Sequence, residues 1–136
     1  MTQLIKGIDH IGIAVNNLNE TLAAYEKVLG LKPEKVIVME ALKAKIAFIK
    51  VGEAKLELFE PLSKDSTIAK FLEKRGEGIQ HIALKVEGID DMLKNLKNKG
   101  VTLIDEKPRA GAEGGKIAFI HPQSLKGVLM EFVEKP

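Results

Sequence analysis

The sequence predicts an α+β fold made of two tandem β-α-β-β-β modules, and three observations predict it. First, residues 8–49 recur as residues 79–120: Ile8-Asp9-His10-Ile11-Gly12-Ile13-Ala14-Val15 returns as Ile79-Gln80-His81-Ile82-Ala83-Leu84-Lys85-Val86. Lys45-Ile46-Ala47-Phe48-Ile49 returns unchanged as Lys116-Ile117-Ala118-Phe119-Ile120. Second, both repeated segments alternate or run apolar over strand-like lengths between turn residues. Third, a helical pattern follows the first strand of each copy. The last strands match with a three-residue slip, so that Leu56-Glu57 corresponds to Met130-Glu131.

Each element has a local reason. Residues 8–15 lie between Gly7 and Asn16-Asn17, which bounds a strand whose one face is Ile11, Ile13 and Val15. His10, Gly12 and Ala14 occupy the other face. Asn17 with Glu20 three residues on resembles a capping box. Leu18, Leu22, Tyr25 and Leu29 then fall on one helical stripe, and Gly30 supplies the stop. Strands follow near 34–40, 44–50 and 54–60, closed by Pro61. Ser66 caps a short connecting helix whose apolar side is Ile68, Phe71 and Leu72, ended by Gly76 and Gly78. The second copy repeats the plan: a strand at 79–86, a helix at 89–99 on Ile89, Leu93 and Leu96, and strands near 101–106, 115–121 and 127–134. Gly111-Ala112-Glu113-Gly114-Gly115 is a loop and not a phosphate loop, because no Lys-Ser/Thr and no helix follows it.

Composition narrows the function. A chain of 136 residues is one domain by size, with module one at 5–62, the connecting helix at 63–78 and module two at 79–134. Neither half, at roughly 65 residues, buries much core alone. Net charge is +2 with the signs interleaved, and the aromatics are five Phe and one Tyr, which excludes a nucleic-acid surface. The absence of Cys excludes disulfides and thiolate metal sites. No signal-peptide core and no membrane-length apolar run is present, so a cytoplasmic location is expected. The 19 Lys and 14 Glu, against 2 Arg, 5 Asp and 3 Gln, follow the bias of proteins from hot environments.

The chemistry resides in the repeat. His10 and His81 hold equivalent places, beside the small residues Gly12, Ala14 and Ala83, which leave room above that face. Glu57 and Glu131 each lie inside an apolar strand, where a carboxylate needs a hydrogen bond, an ion pair or a metal. A lone strand histidine is more often structural than ligating. The paired placement with two in-strand glutamates instead points to one divalent cation held by His10, Glu57, His81 and Glu131. Such a set leaves open positions on a six-coordinate ion, which suits Lewis-acid catalysis. His121 breaks the pattern and reads as structural or as pocket edge. Glu60 and Glu134, at strand ends, read as solvated.

These motifs resemble the vicinal oxygen chelate (glyoxalase/bleomycin resistance/dioxygenase) superfamily, and more closely the methylmalonyl-CoA epimerases. The specific part is Leu56-Glu57-Leu58-Phe59-Glu60-Pro61-Leu62 leading to Asp65-Ser66-Thr67-Ile68-Ala69-Lys70-Phe71-Leu72. The shared parts are the two histidine strands, and Phe119-Ile120-His121-Pro122 with Gly127-Val128-Leu129-Met130-Glu131. The resemblance implies one curved mixed sheet around a central metal and a homodimer. It implies an acyl-CoA substrate and interconversion of (R)- and (S)-methylmalonyl-CoA through a metal-stabilised enolate. It implies His10, Glu57, His81 and Glu131 as ligands, with Glu131 the leading base and Glu57 the second. Cobalt is the first candidate ion; manganese, nickel and zinc also suit the donors. In some relatives a further catalytic glutamate lies on the strand matching 44–50. Here that stretch has no carboxylate, and Glu40 is the nearest before it. The rival readings are a glyoxalase I-type lactoylglutathione lyase and a non-catalytic binding module of the same fold.

Overall fold

A computed structural model describes residues 4–136. In chain order the strands and helices are β1 (Ile5–Ala14), α1 (Leu18–Leu29), β2 (Lys35–Met39), β3 (Ala44–Val51), β4 (Ala54–Pro61), α2 (Thr67–Arg75), β5 (Gly78–Val86), α3 (Ile89–Asn98), β6 (Arg109–Ala110), β7 (Lys116–Ile120) and β8 (Met130–Glu134). They form two compact units: His10–Gln80, and residues 4–9 with His81–Pro136. The division falls inside β1. Both units are α+β with a mixed sheet, as the β-α-β-β-β reading expects.

In the His10–Gln80 unit the strand order is β2-β3-β4-β1. β1 and β4 are parallel, with Gly12 opposite Glu57. β3 and β4 are antiparallel, with Phe48 opposite Glu57 and Val51 opposite Ala54. That hairpin closes through Gly52 and Glu53 alone, with Gly52 in the left-handed region at φ 60°. A parallel pair needs a crossover, and α1 supplies it. The Asn17 side chain accepts a hydrogen bond from Glu20 N at 2.9 Å, and Gly30 ends the helix at φ 70°.

Leu18, Leu22 and Tyr25 of α1 pack on Val15, Ala47, Ile49 and Leu58. Leu29 does not join them; it is 56% exposed. The chain reverses at Gly30, and Leu31, beyond the turn, packs on that core. The other sheet face is covered by α2. Ser66 Oγ accepts from Ala69 N at 3.0 Å at its start. Ile68, Phe71 and Leu72 pack on Ala14, Ala44, Ile46, Phe48 and Phe59.

The second unit is ordered β1-β5-β8-β7-β6. β5 and β8 are parallel, with Ala83 opposite Glu131. β7 and β8 are antiparallel, with Phe119 opposite Glu131 and Ile120 opposite Met130. Ile89, Leu93 and Leu96 of α3 pack on Val86, Ala118, Ile120 and Phe132. These are the repeat equivalents of the core under α1.

The expected strand at 101–106 does not form. Only Leu103 bridges to Ile120. Ile104 N and Asp105 N both donate to Phe119 O, at 3.0 and 3.1 Å, so two residues face one, as in a bulge. The Asp105 carboxylate then accepts from Phe119 N at 2.9 Å, in place of a backbone carbonyl. Pro108, with no N–H, delays pairing until Arg109. The last strand also starts later than expected, at Met130, because Pro122–Leu125 coils into a 3-10 turn.

The slip in the repeat has a structural origin. Ile49 pairs with Leu56 and Ile120 with Met130. Six residues lie between the first pair and nine between the second, so the insertion sits wholly in the second hairpin loop.

Candidate metal and catalytic site

Glu57 and Glu131 occupy the same position in their two units. Each lies opposite a small residue of the parallel partner strand, Gly12 or Ala83. Each lies opposite a phenylalanine of the antiparallel one, Phe48 or Phe119. The small residue leaves the carboxylate room to lean along the sheet to the histidine two residues earlier on the parallel strand. In the first unit His10 Nδ1 is 3.1 Å from Glu57 Oε2. In the second His81 Nε2 is 3.2 Å from Glu131 Oε1. All four residues are buried, at 6% exposure or less. A carboxylate this deep needs compensating polar partners, and an imidazole stands beside each one.

The aromatic walls differ. Phe48 is fully buried, with the Lys35 and Lys55 ammonium groups 5.1 and 5.7 Å from its ring centre. Phe119 is half-buried, meets His81 edge-on at 5.5 Å, and carries the Arg109 guanidinium over its ring at 5.5 Å.

Asp9 joins the buried carboxylates, and sequence reasoning missed it. Its side chain is 3.1 Å from Lys135 Nζ. The signal was present: an acidic residue between Ile8 and Ile11 meets the criterion that singled out Glu57. Imidazole nitrogens and carboxylate oxygens, dry and close together, are a donor set that fits a divalent ion such as cobalt, manganese or zinc.

The other candidates separate from this group. His121 caps the 3-10 turn after β7, its Nδ1 accepting from Gln123 N at 3.0 Å. That makes it structural. Glu60 and Glu134 are not merely solvated, which corrects the reading from sequence. Glu60 Oε1 accepts from Leu18 N at 2.6 Å, and Glu134 Oε2 from Gly88 N at 2.6 Å. Each module thus uses a glutamate at or next to the end of its last strand to cap the start of its crossover helix, where free N–H groups and the helix dipole favour a carboxylate. Glu40 lies exposed in the turn Glu40–Leu42.

Residues 9–119 match the family model of the Glyoxalase/Bleomycin resistance protein/Dioxygenase superfamily. The chain belongs to that superfamily, and within it to the family of the methylmalonyl-CoA epimerases. The crystal structure of methylmalonyl-CoA epimerase from Mycobacterium tuberculosis is similar with a TM-score of 0.92 at 38% identity, covering 100% of this chain and 92% of that one. The ethylmalonyl-CoA/methylmalonyl-CoA epimerase of Cereibacter sphaeroides is 34% identical over 94% of this chain and 97% of its own length. A methylmalonyl-CoA epimerase solved in complex with methylmalonyl-CoA and NH4+ has a TM-score of 0.90 at 35% identity, covering 98% and 96% of the two chains.

Proposed function

We propose that this chain, acting as a single functional domain, is a metal-dependent epimerase that interconverts (R)- and (S)-methylmalonyl-CoA. The carrying observation is the buried His–Glu pair that each module holds in equivalent register, in a chain that is similar over nearly its full length to epimerases of that substrate. His10, Glu57, His81 and Glu131 are the proposed ligands of one divalent ion. Cobalt is the first candidate, with manganese, nickel and zinc also suited. No described helix is long and apolar enough to cross a membrane. A cytoplasmic homodimer is the working assembly, on family resemblance.

The reaction moves one proton. The carbon between the thioester and the carboxylate is too weakly acidic for an unassisted carboxylate base. A bound divalent ion supplies positive charge where the enolate oxygen develops. Glu131, as the carboxylate, takes the proton from one face, and Glu57, in its protonated form, gives one to the other; proton exchange with solvent then restores both carboxyl groups to their starting states. His10 and His81 hold the ligand set in place. The apolar strands around both glutamates exclude water from the reacting carbon.

Proton NMR in heavy water tests this. With the metal-loaded protein, the signal of the methylmalonyl-CoA proton between the two carbonyls disappears as deuterium enters, and both stereoisomers accumulate. Metal-stripped, folded protein that keeps full exchange activity would refute the metal-dependent reading. Turnover of the glutathione hemithioacetal of methylglyoxal, without exchange of methylmalonyl-CoA, would transfer the assignment to the glyoxalase reaction.

A further inference from the structure

Helix α2 connects the modules. Its inner face completes a core, but its outer face borders a cleft of about 370 Å³. Lys70, Lys74 and Arg75 line that cleft, against the single opposing charge of Glu73. Phe71 and Gln80 complete the wall, and Thr67 adds a hydroxyl. The Arg75 guanidinium lies 6.0 Å over the Phe71 ring. Cations in the last helical turn complement the helix dipole, which accounts for Lys74 and Arg75 but not for Lys70 or for Gln80 on β5.

We propose that this cleft seats the phosphate-bearing end of the acyl-CoA substrate, an inference that rests on the function proposed above. Three cations on one helix suit phosphate oxygens through charge-assisted hydrogen bonds. The Phe71–Arg75 pair offers a flat surface of the kind on which an adenine ring stacks. The cleft's place along the sheet also fits. Phe71 packs in the cluster that contains Ala14 and Phe48. Ala14 follows His10 by four residues on the same strand face, about 13 Å at the usual rise per residue. Phe48 lies opposite Glu57. A coenzyme A thioester is a long molecule with its reactive carbonyl at one end and its phosphates at the other. An element that starts at the far end of the histidine strand stands where the second end can be held.

Calorimetric titration with CoA, 3′-dephospho-CoA and pantetheine tests this without relying on turnover. Wild-type protein binds CoA more tightly than pantetheine. The double variant Lys74→Ala/Arg75→Ala weakens CoA binding at least about tenfold, the scale of a lost hydrogen bond to a charged group. Pantetheine binding serves as the internal reference. Glu73→Gln, which removes the opposing charge, strengthens CoA binding. With thioester substrates, kcat/KM for methylmalonyl-CoA relative to methylmalonyl-pantetheine falls about tenfold in the double variant. CoA affinity equal to wild type in the double variant overturns the proposal. So does an equal loss for CoA and pantetheine. Protein that binds CoA through these residues, yet exchanges no proton of methylmalonyl-CoA, keeps the cleft and rejects the epimerase. Protein that epimerises, with CoA binding indifferent to these charges, does the reverse.

Discussion

The two modules of this chain share a repeat, yet they differ wherever the repeat is not needed for the glutamate and its neighbours. Module one turns from β3 to β4 through two residues, has a five-residue β2, and carries α2 against the sheet face opposite α1. Module two spends nine residues between Ile120 and Met130 and reduces its outer strand to Arg109–Ala110. Among its described residues no second core cluster covers the equivalent face; Arg109 lies over Phe119 there instead. Against this divergence the registers Gly12–Glu57 and Ala83–Glu131 coincide, as do Phe48–Glu57 and Phe119–Glu131. Strand pairing admits only shifts that keep a side chain on its face. A loop accepts three extra residues at little entropic cost. The insertion therefore lies in the loop, and the carboxylates keep their places.

The sharpest test of this comparison is to remove the same group from each side. Glu131→Gln keeps size and an oxygen ligand but removes a base. Turnover should fall by about a hundredfold or more, within the range for acid–base groups. Glu57→Gln should cost clearly less. Equal losses in steady-state assays would show that the modules share the chemistry evenly. Near-normal turnover in Glu131→Gln would direct attention to Glu40.

The second test concerns the cover over module one. Ile68 of α2 is buried in its core. Ile68→Ala should destabilise the protein by about 2–4 kcal/mol, the usual cost of such a truncation. A loss under about 1 kcal/mol in chemical denaturation would show that α2 is an ornament on a core complete without it.

The third test compares the histidines. His10→Ala and His81→Ala should each weaken binding of one divalent ion by at least about tenfold. Titration of the apo protein measures this directly. An ion that survives the loss of His81 but not of His10 would confine the site to the His10–Glu57 pair.

Much of this was legible in the sequence, for identifiable reasons. His10, His81, Glu57 and Glu131 stood out because repetition made each pair vouch for the other. The caps of α1 and α2 were readable because Asn17, Gly30 and Ser66 act within three or four residues. The strand expected at 101–106 failed because a remote partner intervened. Asp105 bonds across to Phe119, a contact no local pattern encodes. Glu60 and Glu134 were underrated for the same reason, since the N–H groups they accept from lie 42 and 46 residues earlier. Asp9 was overlooked because its counter-ion, Lys135, is at the other end of the chain.

The smallest expected effect is a matter of pH. Lys43 sits 2.6 Å from Asp65, just before α2, and its hydrogen bond, with a second from the Ser63 hydroxyl and the Lys43 charge, lowers the Asp65 pKa from 3.8 to about 2. A depressed folded-state pKa stabilises the protein above the unfolded value. That contribution is full above about pH 4 and is lost as pH falls through about 2. An NMR titration of the Asp65 carboxyl should show the low midpoint, moving up towards 3.8 in Lys43→Met. The same midpoint in both proteins would remove the Lys43–Asp65 tie as a link between module one and the segment before α2.

The division of the chain inside β1, between Asp9 and His10, has a consequence for how the molecule assembles in time. Residues 4–9 count with the unit whose remainder begins at His81, and Glu87 N–H closes on Leu4 O at 3.0 Å while Lys135 reaches Asp9. On a ribosome, the start of β1 emerges well before its partners, with Glu87 following first and Lys135 much later. Contacts so distant in sequence form slowly, because a long loop must close before they return any energy. In the interval the opening strand has an unpaired edge, the kind of surface that pairs with another chain. Refolding should accordingly show the pairing of residues 4–9 as a late step. A circular permutant that places residues 4–9 directly after residue 136, with new ends at a surface turn, should advance that step.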